Sequence, residues 1–154
     1  MEIGLSPETY VWVLTGNHMF MIHTQFLIHS GEMEFHDELD EMTDSILTLG
    51  DKINKIRGKT LKLRLVEEEY RCLIFAIQYC ACLLLTDEGE AWFADAYFPK
   101  YGMEEIRHIS IEEMQRGFMR FADSFLSKNP PLPIFVKIKK EVASRMDELF
   151  PFES

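Results

Sequence analysis

Residues 70–86 read YRCLIFAIQYCACLLLT. After Arg71 no charged residue follows until Asp87. Wound as a helix, Leu73, Ile74, Phe75, Ile77, Leu83, Leu84 and Leu85 point in every direction, and only Gln78 interrupts them. A helix apolar all round must be enclosed, by other helices or by lipid. This one is too short to cross a bilayer comfortably. The stretch therefore predicts the buried central helix, at about 66–86, of a soluble all-α domain.

Immediately before it, Leu61-Lys62-Leu63-Arg64-Leu65 alternates with period two, as a short strand would. No strong partner strand stands out, and 133–138 is the one weak candidate. The expectation is a connector running into the central helix. Gly58-Lys59-Thr60 does not complete a phosphate-binding loop, because the glycine required five residues before Gly58 is Ile53.

Further back, Phe35, Leu39, Met42, Ile46, Leu49, Ile53 and Ile56 alternate steps of four and three. That seam predicts a helix over about 32–57, nearly parallel to its neighbours in a bundle. Its charge is segregated. Glu32, Glu34, Asp37, Glu38, Asp40, Glu41, Asp44 and Asp51 precede any base, and Lys52, Lys55, Arg57, Lys59, Lys62 and Arg64 follow with no acid among them. Acids early and bases late suit the helix dipole; a two-signed face also suits docking to a partner.

At the start of the chain, Ser6-Pro7-Glu8 is a helix start: a capping hydroxyl, a proline at the first helical position, then an acid at the positive end of the dipole. Residues 9–31 carry no formal charge, yet Asn17, His18, His23, Thr24, Gln25 and His29 make the segment too polar for a membrane span. A second largely buried helix over 7–29 is expected, with Gly31 near its end.

Beyond the central helix, Asp87 and Glu90 form a capping-box pattern for a short helix through about Phe98, which Pro99 should end. Trp92, Phe93, Tyr97, Phe98 and Tyr101 crowd this region, as a satellite core, a pocket lining or partner anchors. Ser110 and Glu113 form a capping box for a helix carrying Met114, Phe118, Phe121, Ala122 and Phe125 inward. Asn129-Pro130-Pro131 breaks it, and a last helix is expected from about Pro133.

The whole chain has 154 residues, 47% of them apolar and 27% charged, which suits one globular domain over 1–154. A net charge of −10 works against nonspecific binding to nucleic acid or to an anionic membrane. Cys72, Cys80 and Cys82 all fall in the central helix without a CxxC, so they read as small buried hydrophobes from a reducing compartment. The N-terminus carries an acid and no base, which suits neither a signal nor a transit peptide.

Catalytic signatures are thin. His18 and His29 fall about 20° apart around a helix but about 16 Å apart along it, so they cannot share one metal ion. Glu105 and His108 form a lone ExxH; a di-metal bundle needs two. There is no HExxH and no GxSxG. Glu41-Met42-Thr43-Asp44 is an ExxD on the acidic helix. It resembles half of the metal-binding pattern of the all-α nucleoside-triphosphate pyrophosphohydrolases of the MazG type, in which EExxE and ExxD hold Mg²⁺ between two helices. The EExxE half is absent before it, and Glu67-Glu68-Glu69 lacks the spacing and follows in the wrong order. The resemblance implies an alternative function, Mg²⁺-dependent release of pyrophosphate through Glu38, Glu41 and Asp44.

The expected fold is an all-α bundle of about five or six helices. The expected function is non-catalytic: a small acidic cytoplasmic protein that regulates, inhibits or neutralises a basic protein partner, in the manner of an immunity protein. Glu34, Asp37, Glu38, Asp40, Glu41 and Asp44 are the expected partner-binding residues, and Trp92, Tyr97 and Tyr101 the expected aromatic anchors. No metal or cofactor enters this reading, whereas the alternative requires Mg²⁺. The 35–56 seam offers a route to a homo-oligomer.

Overall fold

The computed structural model describes residues 2–31, 37–56, 62–102 and 108–128, the side chains of Leu27 and of residues 37–42 excepted. The chain is an all-α bundle with one small sheet. Its elements are β1 (Glu2–Gly4), α1 (Pro7–His29), α2 (Asp37–Lys55), β2 (Lys62–Arg64), α3 (Glu67–Leu84), α4 (Asp87–Trp92), a π-helical turn (Phe93–Tyr97), α5 (Phe98–Tyr101) and α6 (Ile111–Lys128). The last helix expected from Pro133 lies outside the described residues.

α3 is the organiser. From Cys72 to Ile77 every side chain is buried, which no single-sided helix could manage. α1, α2 and α6 surround it, and α4 packs at its end. α2 contributes Leu49 and Ile53, both fully buried, with Ile46 and Ile56 packed beside them. The described half of the heptad seam is thus used within the chain's own core. α6 contributes Met114, Phe118 and Ala122, fully buried on one stripe. Truncating Ile77 or Leu84 to alanine should cost about 2–5 kcal/mol in urea denaturation, with Leu84, at 7% exposure, toward the low end. Losses under about half a kcal/mol at both sites would show that α3 is not the keystone.

The ends of the helices follow local chemistry. Ser6 caps α1: its hydroxyl accepts from the Thr9 backbone N–H at 3.1 Å, while the Thr9 hydroxyl accepts from Ser6 N–H at 2.8 Å. Gly31 closes the same helix with φ +75°, a conformation costly for any residue with a side chain. Ser110 caps α6 by accepting from Glu113 N–H.

Three expectations need correction. Residues 62–64 are a strand and not a plain connector: β2 pairs antiparallel with β1, Ile3 opposite Leu63 and Glu2 opposite Arg64. The alternation was genuine, with Leu63 and Leu65 buried and Lys62 and Arg64 exposed. The partner went unread because it is three residues long, and Glu2 holds it by accepting from Arg64 Nε at 3.0 Å. Second, Thr86 and not Asp87 caps α4. The Thr86 hydroxyl donates to the Leu83 carbonyl and accepts from Gly89 N–H, inside a corner that bends the chain by 101°. Gly89 fills that corner because a Cβ there would meet the Leu83 carbonyl oxygen at 2.1 Å. Third, Pro99 does not end the helical run. The π turn precedes it and α5 continues to Tyr101, with Pro99 in the first turn, where a missing N–H is tolerated.

Among the described residues, no single helix is long and apolar enough to cross a membrane.

Candidate functional site

α1 is enclosed along most of its length and emerges from the core only in its last two turns. Met19, Phe20, His23 and Thr24 are buried, whereas Gln25, Phe26 and His29 are exposed. Across from this emerging end runs the α4–α5 segment. Between them lies an open groove of about 330 Å³. Ile22, Gln25, Phe26 and His29 form the α1 wall; Trp92, Ala96, Tyr97, Lys100 and Tyr101 form the other.

The π turn builds the second wall. In an α-helix the residue one turn after Trp92 would be Ala96. The wider i→i+5 turn, closed by Phe98 N–H donating to the Phe93 carbonyl, brings Tyr97 into line instead. The Trp92 and Tyr97 centroids are then 5.5 Å apart at 32°, and those of Tyr97 and Tyr101 are 5.6 Å apart at 33°. Phe26 faces Trp92 from α1 at 6.5 Å.

Two long-range hydrogen bonds fix the rings from below. His18 Nδ1 pairs with the Tyr97 hydroxyl at 2.9 Å, and the His18 ring meets Tyr101 edge-on at 5.3 Å. His23 Nδ1 pairs with the Tyr79 hydroxyl of α3 at 2.5 Å, and its ring meets Trp92 edge-on at 4.7 Å. Burial holds both imidazoles below their ordinary pKa, His23 down to about 3. Burial, with Cys80 and Tyr101 nearby, pushes the Tyr97 phenol up. Both pairs are therefore neutral near pH 7, and they work as struts.

The three expected anchors do converge, in unequal roles. Trp92 and Tyr101 are half-buried at the groove, but Tyr97 is 2% exposed and forms its floor. It cannot project into a partner. His18, Ile22, Gln25, Phe26 and His29 were the missed half of the site. Their spacing of four, three, one and three places them on one helical stripe, the same geometry that set His18 and His29 about 20° apart. The stripe marks a groove wall.

The acidic run is placed more simply. Glu34 lies outside the described residues. Asp37, Glu38, Asp40 and Glu41 occupy the first turns of α2, with side chains outside the description, and Asp44 is exposed. Lys52, the first base of the helix, does not fold back on them; it donates to Glu69 of α3 at 2.5 Å. Beside the run lies a smaller apolar groove of about 90 Å³ between α1 and α2, lined by Phe20, Met21, Ile28, Ile46 and the half-exposed Leu47, among others. Among the described residues no three metal-ligating side chains converge. His108 of the ExxH is exposed, and Glu105 lies outside the described residues.

The thiols are not poised for attack. Burial, with Glu69 and Glu68 nearby, pushes Cys72 up to about 12. Burial also pushes up Cys80, whose thiol donates to the Gly16 carbonyl. Protonated thiols of this kind are core groups.

Fold and site together define a helical-bundle protein with an aromatic groove on one side of α1 and an acidic helix on the other. No family model, curated protein or solved structure matches the chain.

Proposed function

We propose that this chain is a non-catalytic protein-binding module, a regulator, inhibitor or immunity-type protein that meets a basic partner along α2. The observation that carries the reading is Leu47, 51% exposed at the mouth of the apolar groove between α1 and α2 and one turn from Asp44. An exposed apolar contact bordered by one sign of charge has the anatomy of a recognition surface, with an apolar centre inside a polar rim. The acids would steer encounter, and Lys52, engaged with Glu69, leaves their field largely intact. The likeness to immunity proteins is one of class alone.

The test begins with the protein purified from its own cell together with whatever basic protein accompanies it in stoichiometric amount. Association is then measured for wild type and for the triple variant Asp37→Lys, Glu41→Lys, Asp44→Lys, with folding checked by circular dichroism. The expected result is an unchanged or higher melting temperature and association slowed about tenfold at low salt, the difference shrinking as salt rises. Unaltered association by the folded variant would show that the face is merely solvated. Pyrophosphate release from nucleoside triphosphates with Mg²⁺, abolished by Glu41→Gln, would replace this reading with the hydrolase alternative.

A further inference from the structure

We infer that the groove between the end of α1 and α4–α5 binds a small planar aromatic anion, its ring against Phe26, Trp92 and Tyr101 and its carboxylate or phosphate at Lys100. This site is separate from the acidic face of α2 and does not depend on the function proposed for it.

Charge supplies the first argument. The chain carries −10, yet among the described residues no carboxylate lines this groove. Its charged side chain is Lys100, with His29 on the opposite wall. Among the described residues, no acid lies within ion-pair reach of Lys100. Its ammonium instead sits 5.2 Å from the Tyr101 ring centroid, a cation–π contact that keeps the charge beside the aromatic wall. An anion entering here gains a cation that no described acid pairs with, whereas a cation meets repulsion.

Rigidity supplies the second. Aromatic walls left mobile would lose entropy on binding. Here His18 ties down Tyr97 and the edge of His23 backs Trp92, so the rings are ordered before a ligand arrives. Two walls of differently tilted rings favour a flat π-system over an aliphatic chain. At about 330 Å³ the groove is at the small end of ligand sites, sized for one or two fused rings.

The probes are indole-3-acetate, indole and tryptamine, which share a ring and differ in charge. They are titrated into the full chain at low salt and followed by calorimetry and by shifts of the aromatic NMR signals. Indole-3-acetate should bind with Kd on the order of 1 mM or tighter, ahead of indole and well ahead of tryptamine. Lys100→Ala should weaken indole-3-acetate about fivefold and leave indole unchanged. Lys100→Glu should invert the order of indole-3-acetate and tryptamine, and Trp92→Ala should abolish saturation by all three. Lys100 is a surface residue, so its variants report even if Trp92→Ala fails to fold. Equal affinities for the three probes, an order unmoved by Lys100→Glu, or no saturation below about 10 mM would each overturn the assignment.

Discussion

Lowering the pH from 7 to 5 will remove about 2 kcal/mol of stability through His23 alone. The imidazole is fully buried, and burial lowers its pKa from 6.5 to about 3. Among the described residues, the rings against it include Tyr79 from α3, Trp92 from α4 and Phe26 from its own helix, none of them negatively charged. The unfolded chain therefore takes up the proton first as pH falls. Stability is whole well above pH 6.5, declines below it, and has lost about 4 kcal/mol by pH 3, approaching a total of about 5 kcal/mol only below the folded pKa, at about 1.4 kcal/mol per unit of pKa difference. His18, lowered by burial as well, adds in the same direction. Urea denaturation at pH 7, 6 and 5 measures the slope. His23→Gln keeps a polar partner for Tyr79 and cannot titrate, so its slope over this range should be much shallower. A variant as acid-sensitive as the wild type would remove His23 from the account.

Breaking the Lys52–Glu69 pair will be strongly asymmetric. Glu69 is 2% exposed and accepts from Lys52 Nζ at 2.5 Å and from Val66 N–H at 2.9 Å; Lys52 is 39% exposed. Lys52→Met leaves a buried carboxylate short of its cation, at a cost of about 3 kcal/mol. Glu69→Gln lets the lysine turn to water and keeps an acceptor for Val66, at about 1 kcal/mol. Lys52→Met combined with Glu69→Leu should recover most of the larger loss, because no charge is then stranded. The pH response follows from the folded state. Burial alone would raise the Glu69 pKa, but Lys52, the Val66 N–H and the Thr48 hydroxyl outweigh it and hold it below 4.5. Its stabilisation is present above that value and is lost as pH falls through the folded pKa. The Lys52→Met penalty should accordingly be smaller at pH 4 than at pH 7. Equal losses for the two single variants would mean that the carboxylate is not the constrained partner.

Both experiments probe contacts between helices, and such contacts divide what was legible from what was not. Ser6-Pro7 announces α1, Ser110 with Glu113 announces α6, and the unbroken apolar run of α3 announces burial on every side. These signals are local: a cap bonds three residues ahead, and a helical face repeats within one turn. The same locality let Leu49, Ile53, Met114 and Phe118 be placed in the core from spacing alone. Near Thr86 it was insufficient, because Thr86 and Asp87 are both competent caps and only the buried corner chooses between them.

The sequence by itself determined an all-α bundle, its central helix and most of its helix starts. Tertiary structure alone decided the groove. Ile3 finds Leu63, His18 finds Tyr97 and His23 finds Tyr79 across separations of about 60, 79 and 56 residues, and no local pattern encodes such pairings. The π turn is the clearest case. Residues 92–98 read equally well as a plain α-helix, in which Ala96 would follow Trp92 around the axis. The extra residue in that turn is held where the Tyr97 hydroxyl meets His18, a contact that exists only once α1 lies alongside. The sequence thus supplied the rings, and the packing of α1 against α4–α5 set them on one wall.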